Sequence, residues 1–293
     1  MDATVSRVGR VVVALLLPLV LCVPAYTQNL EATWENRYLT IRGDFPGKEI
    51  RIHYLEAYCR PGSTDREWGE TVIRHESEVA EVTEDGKIIR LIDRLEDGVR
   101  VEHEIQVEND RISFRLKATN PTNRASEAAW AQPCVRVDRF TGQDPKYSRE
   151  VYPPYVRQCF MLIDGQVRRL PTRPWALNAR YTPGQVYCPE QVDRDDVNPR
   201  PLSSLRPSHG LCGCYASDPS WILGMTWEPY QEIFQGVITC MHNDFRIGGL
   251  KPGETKTIRG ALYVHHGTMD TLLARYRQDF PDQSKGLKLK IHD

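Results

Sequence analysis

The sequence has 293 residues, a formal net charge of −1 and 26% charged residues, so it lacks the basic excess expected of a nucleic-acid-binding protein. Its length is compatible with one large all-β domain, since sandwiches of this class reach roughly 250 residues. The 20 prolines and 20 glycines, together with the lack of long helical periodicity, favour strands and loops.

Residues 1–27 have the pattern of a signal peptide. Arg7 and Arg10 make a basic start, and residues 11–23 form an apolar stretch that is too short to span a bilayer. Cys22 raises the alternative of a lipoprotein, but Leu21 stands where a lipidation signal needs a small residue. We therefore expect an exported protein, periplasmic or extracellular, with no stable membrane span after the signal is cleaved.

Export changes how the cysteines are interpreted, because disulfides are the default in an oxidising compartment. Seven cysteines remain after cleavage, so at least one thiol stays free or pairs between chains. Spacing does not fix the pairing, although a bond from Cys240 to Cys212 or Cys214 is favoured. The seven are Cys59, Cys134, Cys159, Cys188, Cys212, Cys214 and Cys240.

Residues 29–119 are predicted to form a series of antiparallel strands. Apolar and polar residues alternate with the two-residue period of strands that have one buried and one solvated face. Turn-forming pairs, Asp-Gly or Asn-Asp, separate the strands at residues 85–86, 97–98 and 109–110. Strands are predicted at residues 38–42, 49–54, 88–92, 99–105 and 111–117.

Gln132-Pro133 begins a further short strand. A glutamine side chain donates hydrogen bonds to hydroxyls and accepts them, but it cannot act as a general acid at neutral pH. Alternation places Arg136 and Asp138 on the same side of the strand as Gln132. Arg136 suits a carboxylated sugar, because a guanidinium can bind a carboxylate through two parallel hydrogen bonds.

Residues 140–208 are predicted to form a long irregular insertion that is rich in proline and aromatic residues. Such an insertion in a compact domain is usually either functional or disordered, and the aromatic rings argue against disorder. Tyr155 and Trp175 are candidates for stacking against sugar rings. The alternative is that the rings only pack the insertion against the sheet.

The C-terminal third contains a buried strand at residues 221–227, which ends in Trp227-Glu228-Pro229. A carboxylate in this position is hydrogen-bonded, used in chemistry, or solvated at the rim. A Leu-Lys-Pro-Gly-Glu turn at residues 250–254 leads into a last alternating strand at 255–264. Residues 268–280 are the one predicted helix, capped by Thr268 and packed on the core.

The Trp-Glu-Pro and Leu-Lys-Pro-Gly-Glu motifs resemble, in the same order, those of the galactose mutarotase-like superfamily. In many members a His-Pro element, with its histidine facing the sugar, stands where this chain has Gln132-Pro133. The resemblance covers residues ~30 to 268 and implies a large antiparallel β-supersandwich. Together with the predicted C-terminal helix, we expect a single domain over residues 28–293. The resemblance also implies carbohydrate as the partner, bound at a concave sheet face, with sugar contact retained at Gln132 but not the histidine chemistry.

Glu228 is the candidate general base or sugar-hydroxyl ligand, with His209 or His242 as its acid partner. The candidate substrate contacts are Gln132, Arg136, Asp138, Tyr155, Trp175, Trp227 and Asp244. A protein with these groups would bind or act on a sugar or a uronic-acid-containing glycan, as an epimerase or mutarotase-like enzyme, a lyase or a hydrolase. A hydrolase would need two carboxylates beside the bond, drawn from Asp138, Asp244 and Glu228.

Two other functions stay open. Thiolates and imidazoles on neighbouring segments could bind zinc or copper, the candidates being Cys212, Cys214, Cys240, His209 and His242. The chain could also be a non-catalytic carbohydrate-binding or cell-surface interaction domain, because fold does not settle function. We expect carbohydrate as the ligand and no nucleic acid, and we assign no cofactor and no metal ligand.

Overall fold

The computed structural model of the chain describes residues 28–62, 66–143, 154–172, 185–197, 201–236 and 238–288. Within these ranges the strands form two antiparallel sheets that pack against each other, which confirms the predicted all-β sandwich. The predicted signal peptide, residues 1–27, lies outside the described residues. In the described part of the chain, no helix is long and apolar enough to cross a membrane.

The strands follow one another along most of the described chain. In order they are β1 (Glu31–Glu35), β2 (Tyr38–Arg42), β3 (Glu49–Cys59), β4 (Val72–Ile73), β5 (His75–Val82), β6 (Ile88–Leu95), β7 (Arg100–Val107), β8 (Arg111–Thr119), β9 (Trp130–Arg136), β10 (Cys159–Ile163), β11 (Gln166–Arg169), β12 (Cys212–Tyr215), β13 (Trp221–Glu228), β14 (Tyr230–Gly236), β15 (Cys240–Arg246) and β16 (Thr255–His266).

Both sheets combine strands from distant parts of the chain. The small sheet has seven strands in the order β1-β2-β3-β9-β15-β14, with β4 paired to the end of β3. The large sheet has nine strands in the order β11-β10-β12-β13-β16-β8-β7-β6-β5. In the small sheet β9 therefore lies between β3 and β15, which brings residues more than 100 positions apart into direct contact.

The core lies between the two sheets and includes large aromatic side chains. The Trp227 ring of β13 lies 5.0 Å from the Phe114 ring of β8 and 4.9 Å from the Phe245 ring of β15. Trp227 is only 5% exposed. It was predicted to contact sugar, but its position makes it a core residue that links the two sheets.

One long helix follows the last strand, as predicted. The helices are α1 (Trp68–Thr71), α2 (Asp138–Thr141) and α3 (Met269–Asp279), of which the first two are single turns. The side chain of Thr268 accepts a hydrogen bond from the Thr271 backbone and caps α3. Leu272, Leu273 and Tyr276 of α3 are buried against the large sheet.

The predicted insertion at residues 140–208 is less irregular than expected. It contains β10 and β11, a hairpin that extends the large sheet through β12, with Cys159 paired to Cys214. The reason is visible in the sequence: residues 159–163 are a fully buried apolar run, and Asp164-Gly165 follows as a turn with positive φ at both residues.

Candidate functional site

The face of the small sheet that is turned away from the large sheet, here called the outer face, carries polar residues from β9 and β15. On β15 Met241 and Phe245 point into the sandwich core, so His242 and Asp244 point outward. The same alternation on β9 turns Gln132 outward. Three residues predicted as site residues from separate parts of the sequence thus lie on one face.

These three side chains form a contiguous row. Gln132 Nε2 lies 3.1 Å from His242 Nδ1, and that nitrogen lies 3.6 Å from Asp244 Oδ1. The His242 ring stacks on Phe234 of β14, with ring centres 4.3 Å apart and planes 6° from parallel. The stacking and the two polar contacts fix the orientation of the imidazole.

The row contains acceptors that the described residues leave unused. Asp244 is fully buried, and neither of its carboxylate oxygens has a hydrogen-bond partner in the described ranges; the same holds for Gln132 Oε1. Burial raises the pKa of Asp244 to about 7, although His242 opposes the shift. Unused buried acceptors of this kind are costly, so they mark a place where a ligand could donate hydrogen bonds.

Two cysteines adjoin His242 on the outer face. Cys134 lies directly opposite His242 in the β9–β15 ladder, and Cys240 Sγ lies 3.5 Å from His242 Nε2. The hydrogen bond with Cys134 holds the pKa of Cys240 well below its usual value, with His242 adding to the effect although burial opposes it. Burial would lower the pKa of His242, but Cys240 and Asp244 outweigh it and raise that pKa to about 10.

At the far end of β9 the outer face opens into a cleft of about 340 Å³, which we call the arginine cleft. Arg51 of β3 and Arg136 of β9 are directly opposite each other in the ladder. Arg136 Nη1 donates to the Ile238 carbonyl at 3.3 Å, and the Arg51 guanidinium lies 4.3 Å from the centre of the Tyr38 ring. The cleft is lined by Tyr38, Glu49, Arg51, Arg136, Asp138, Arg139 and Ile238.

The charges in the arginine cleft are unbalanced. Among the described residues, no carboxylate lies within ion-pair distance of either Arg51 or Arg136, whereas Arg139 Nη1 lies 3.7 Å from Glu49 Oε1. Like charges on directly paired residues of a ladder destabilise a sheet. An anion bound between the two guanidiniums would remove that repulsion.

Part of the insertion covers the other edge of the outer face. Tyr187 pairs with Ile233 of β14 through backbone hydrogen bonds of 2.8 and 2.9 Å. Arg246 Nη1 of β15 lies 2.9 Å from Asp196 Oδ2, which ties residues 185–197 to the sheet. Apolar side chains of this segment, Val186, Cys188, Val192 and Val197, pack with Phe234.

Glu228 lies elsewhere, at the end of β13 in the large sheet. It is ion-paired with Arg259 of β16 and lines a cleft of about 770 Å³. Neither His209 nor His242 lines that cleft, so the predicted pairing of Glu228 with one of these histidines is not seen. Arginine–glutamate pairs occupy much of the cleft, among them Arg90 with Glu104 at 2.9 Å.

His209 is held in a structural role by both ring nitrogens. Nδ1 lies 2.8 Å from Ser208 Oγ, and Nε2 lies 3.0 Å from the Lys285 carbonyl. Burial lowers its pKa, although the Lys285 contact opposes the shift. His209 therefore attaches the C-terminal segment to the sandwich and does not join His242.

The remaining predicted site residues have different positions. Asp138 is not on β9, because the strand ends at Arg136 and Asp138 begins α2, but it still lines the arginine cleft. Tyr155 is fully buried, and its hydroxyl donates to the carbonyls of Gly236 and Cys240 at 2.9 and 3.2 Å, as an anchor of the insertion. Trp175 lies outside the described residues.

The cysteines do not adopt the expected arrangement. All seven beyond the predicted signal peptide lie in the described ranges, and each is buried. The predicted bond from Cys240 to Cys212 or Cys214 is wrong, because those two residues point into the core from β12 of the large sheet while Cys240 is on the outer face of the small sheet. The predicted metal site is not formed for the same reason, since its members lie on both sheets. These were Cys212, Cys214, Cys240, His209 and His242.

Sequence reasoning missed two residues that matter here, Arg51 and Cys134. Alternation along β9 does predict that Cys134 shares the outer face with Gln132 and Arg136, so a signal for Cys134 exists. Arg51 has no such signal, because only the pairing of β3 with β9 brings it to Arg136.

Comparison with known proteins finds no match in sequence. No protein-family model matches the chain, and neither does any curated protein sequence.

Solved structures do resemble it. A galactose mutarotase related enzyme from Lactobacillus acidophilus is 8% identical, with 82% of this chain and 98% of that chain covered and a TM-score of 0.41. A galactose mutarotase-like protein from Lactobacillus casei is 6% identical, with 80% of this chain and 100% of that chain covered and a TM-score of 0.43. An alpha-N-acetylgalactosaminidase from Bifidobacterium bifidum is 12% identical over 88% of this chain but only 38% of its own, with a TM-score of 0.48. All three are distant in sequence, and each superposes with a TM-score below 0.5.

Proposed function

We propose that this chain is an exported carbohydrate-binding protein that takes an acidic glycan, carboxylated or sulfated, at the arginine cleft of the small sheet. The observation that carries the proposal is the pairing of Arg51 with Arg136. The two arginines are direct partners in the ladder, and in the described ranges neither has a carboxylate within ion-pair distance. Such an arrangement is unfavourable for folding and favourable for binding an anion.

The cleft also has features that suit a sugar. Tyr38 supplies an aromatic ring at its wall, and Asp138 and Glu49 supply acceptors for hydroxyl groups. Its volume of about 340 Å³ lies at the lower end of the range for small-molecule pockets, which matches one or two sugar units. The sequence resemblance suggests carbohydrate as the ligand class, and the arginines of the cleft that are unpaired in the described ranges favour an acidic one.

The row of Gln132, His242 and Asp244 continues the outer face away from the arginine cleft. Arg136 lies four residues beyond Gln132 on β9, which is about 13 Å along a strand. All three side chains of the row are buried, so the proposed glycan site is the arginine cleft and does not include the row.

The Glu228 cleft is the alternative location for the same ligand. It is larger and contains Arg115 and Lys117, so it could also receive a carboxylated sugar. The ion pairs of Arg259 with Glu228 and of Arg90 with Glu104 already balance part of its charge. This balance makes it the weaker candidate.

A screen of acidic and neutral glycans on the mature protein tests the proposal. Wild type is compared with the double variant Arg51→Gln, Arg136→Gln and with Glu228→Gln. We expect uronic-acid-containing or sulfated glycans to bind wild type and Glu228→Gln but not the double variant. Binding lost only in Glu228→Gln would move the site to the large sheet, and binding of neutral glycans alone would contradict the proposed ligand.

A further inference from the structure

Cys134, Cys240 and His242 form a compact group of potential metal ligands. Their ligand atoms all lie within 4.8 Å of one another. The three side chains share the outer face of the small sheet, and each is at most 3% exposed. Two strands supply them, so the group is held by a paired ladder and not by a flexible loop.

The spacing between Cys240 and His242 matches tetrahedral zinc coordination. Zinc binds thiolate sulfur at about 2.3 Å and imidazole nitrogen at about 2.0–2.1 Å, which at a tetrahedral angle places the two ligand atoms about 3.6 Å apart. Cys240 Sγ and His242 Nε2 are 3.5 Å apart. An ion could therefore bind both atoms with almost no movement of the chain.

A glycine on the neighbouring strand makes room for the Cys240 thiol. Gly236 of β14 lies opposite Cys240 in the ladder. A Cβ at this position would clash with Cys240 Sγ and lie 3.2 Å from His242 Nε2. Because Gly236 has no side chain, Cys240 Sγ can lie beside His242 Nε2.

The surroundings of His242 orient it for metal binding through Nε2. Its other nitrogen, Nδ1, faces the Gln132 carboxamide at 3.1 Å and Asp244 Oδ1 at 3.6 Å. A half-turn of the carboxamide lets Gln132 Oε1 accept from Nδ1–H, which uses an acceptor that is otherwise unpaired in the described ranges. Histidine ligands of metals are commonly fixed in this way by a carboxylate or carbonyl on the second nitrogen.

We propose that Cys134, Cys240 and His242 bind one zinc ion on the outer face of the small sheet. Two thiolates and one imidazole select zinc over magnesium or calcium, which require oxygen ligands. Binding displaces the proton of the Cys134 thiol and the proton that Cys240 and His242 share, and both protons pass to solvent. The site stands on its own residues and does not depend on carbohydrate binding.

Metal analysis of the full mature chain tests this inference. The protein is purified with reductant and without chelator, incubated with zinc, freed of excess zinc and measured for metal by mass spectrometry. We expect one zinc per chain in wild type and at least a tenfold loss in Cys134→Ala and in Cys240→Ala. Cys214→Ala is the matched control, since Cys214 is an equally buried thiol in the core of the large sheet, and it should retain the metal.

Two further measurements keep the test decisive if a variant fails to fold. Wild type loaded with cobalt should show a thiolate-to-cobalt charge-transfer absorption band, and its absence would overturn the proposal. A Cys134–Cys240 disulfide found by peptide mapping after purification without reductant, together with no zinc in the reduced protein, would also overturn it. Both measurements are made without sugar, so failure here leaves the carbohydrate proposal untouched.

Discussion

Arg51 and Arg136 are direct partners in the β3–β9 ladder, and in the described part of the chain neither guanidinium has a carboxylate within ion-pair distance. Opposed like charges of this kind weaken a strand pair by up to about 1 kcal/mol relative to a neutral pair. The arrangement therefore lowers the free energy of unfolding while it places two cations where an anion can bind. The consequences for binding and for stability can be measured separately.

The first prediction concerns a simple anion. Sulfate should stabilise wild type more than the double variant Arg51→Gln, Arg136→Gln at equal ionic strength, because it binds between the guanidiniums. At a sulfate concentration ten times the dissociation constant, binding should raise the free energy of unfolding of wild type by about 1.4 kcal/mol more than that of the double variant. Thermal unfolding in sulfate and chloride measures it. An equal sulfate effect on both proteins would reflect only general salting-out and would contradict specific binding.

The second prediction concerns a buried ionic network in the core. Asp93 Oδ2 accepts from the Tyr58 hydroxyl at 2.6 Å and lies 3.1 Å from His103 Nε2. Burial would raise the pKa of Asp93, but contacts with His103, Ser77 and Tyr58 outweigh it and lower that pKa from 3.8 to about 2. The ionised form thus stabilises the fold above pH 4, and this contribution is lost as the pH falls toward 2.

Asp93→Asn should therefore lower the free energy of unfolding at pH 7 by about 2–3 kcal/mol and flatten its decline between pH 4 and pH 2. Urea unfolding across this pH range measures both effects. Glu76→Gln is the control, since Glu76 is an exposed residue of β5. An unchanged acid decline in Asp93→Asn would show that another carboxylate is responsible.

The third prediction tests the close packing between β13 and β16. Gly260 lies opposite Trp227, and a Cβ there would clash with the indole ring, which Phe114 and Phe245 hold in place. Gly260→Ala should lower the free energy of unfolding by about 1–3 kcal/mol. Gly69→Ala in α1, where a Cβ meets no atom within 4 Å, should cause no loss. Denaturant unfolding of both variants measures these changes. A free energy of unfolding in Gly260→Ala equal to that of wild type would mean that the Trp227 ring can shift to make room.

The fourth prediction concerns the segment that covers the outer face. Asp196 accepts from the Gly62 backbone at 3.1 Å and from Arg246 at 2.9 Å, so it joins the insertion to the sheet. Asp196→Ala should remove hydrogen bonds worth about 1.5–3 kcal/mol each and speed amide exchange in residues 185–197. Exposed Glu190 gives the control, Glu190→Ala. Unchanged exchange in Asp196→Ala would assign the attachment to the apolar contacts with Phe234.

Much of the fold was predictable because its signals are local. The alternation at residues 38–42, 88–92 and 111–117 gives strands β2, β6 and β8, and Thr268 marks the start of α3. The hairpin β10–β11 was missed although it carries an equally local signal, a short apolar run followed by Asp-Gly. Its place inside a proline-rich stretch obscured that signal.

The site was predictable only in part, because strand pairing between distant segments is not a local property. Gln132 and His242 are 110 residues apart, and only the β9–β15 register brings them into contact. Glu228 shows the opposite case: its motif is recognisable, but β13 belongs to the large sheet and carries it away from both predicted histidines. Sequence patterns therefore identified several polar residues of the outer face without revealing how they assemble.

The central claim, that the arginine cleft binds an acidic glycan, is tested most directly by calorimetry with one uronic-acid-containing oligosaccharide. Wild type is titrated beside Arg51→Gln, Arg136→Gln and the control Arg139→Gln, whose arginine lines the same cleft but is paired with Glu49. The account predicts at least a tenfold loss of affinity, about 1.4 kcal/mol, in each of the first two variants and little change in the third. Equal affinity in all four proteins would contradict it.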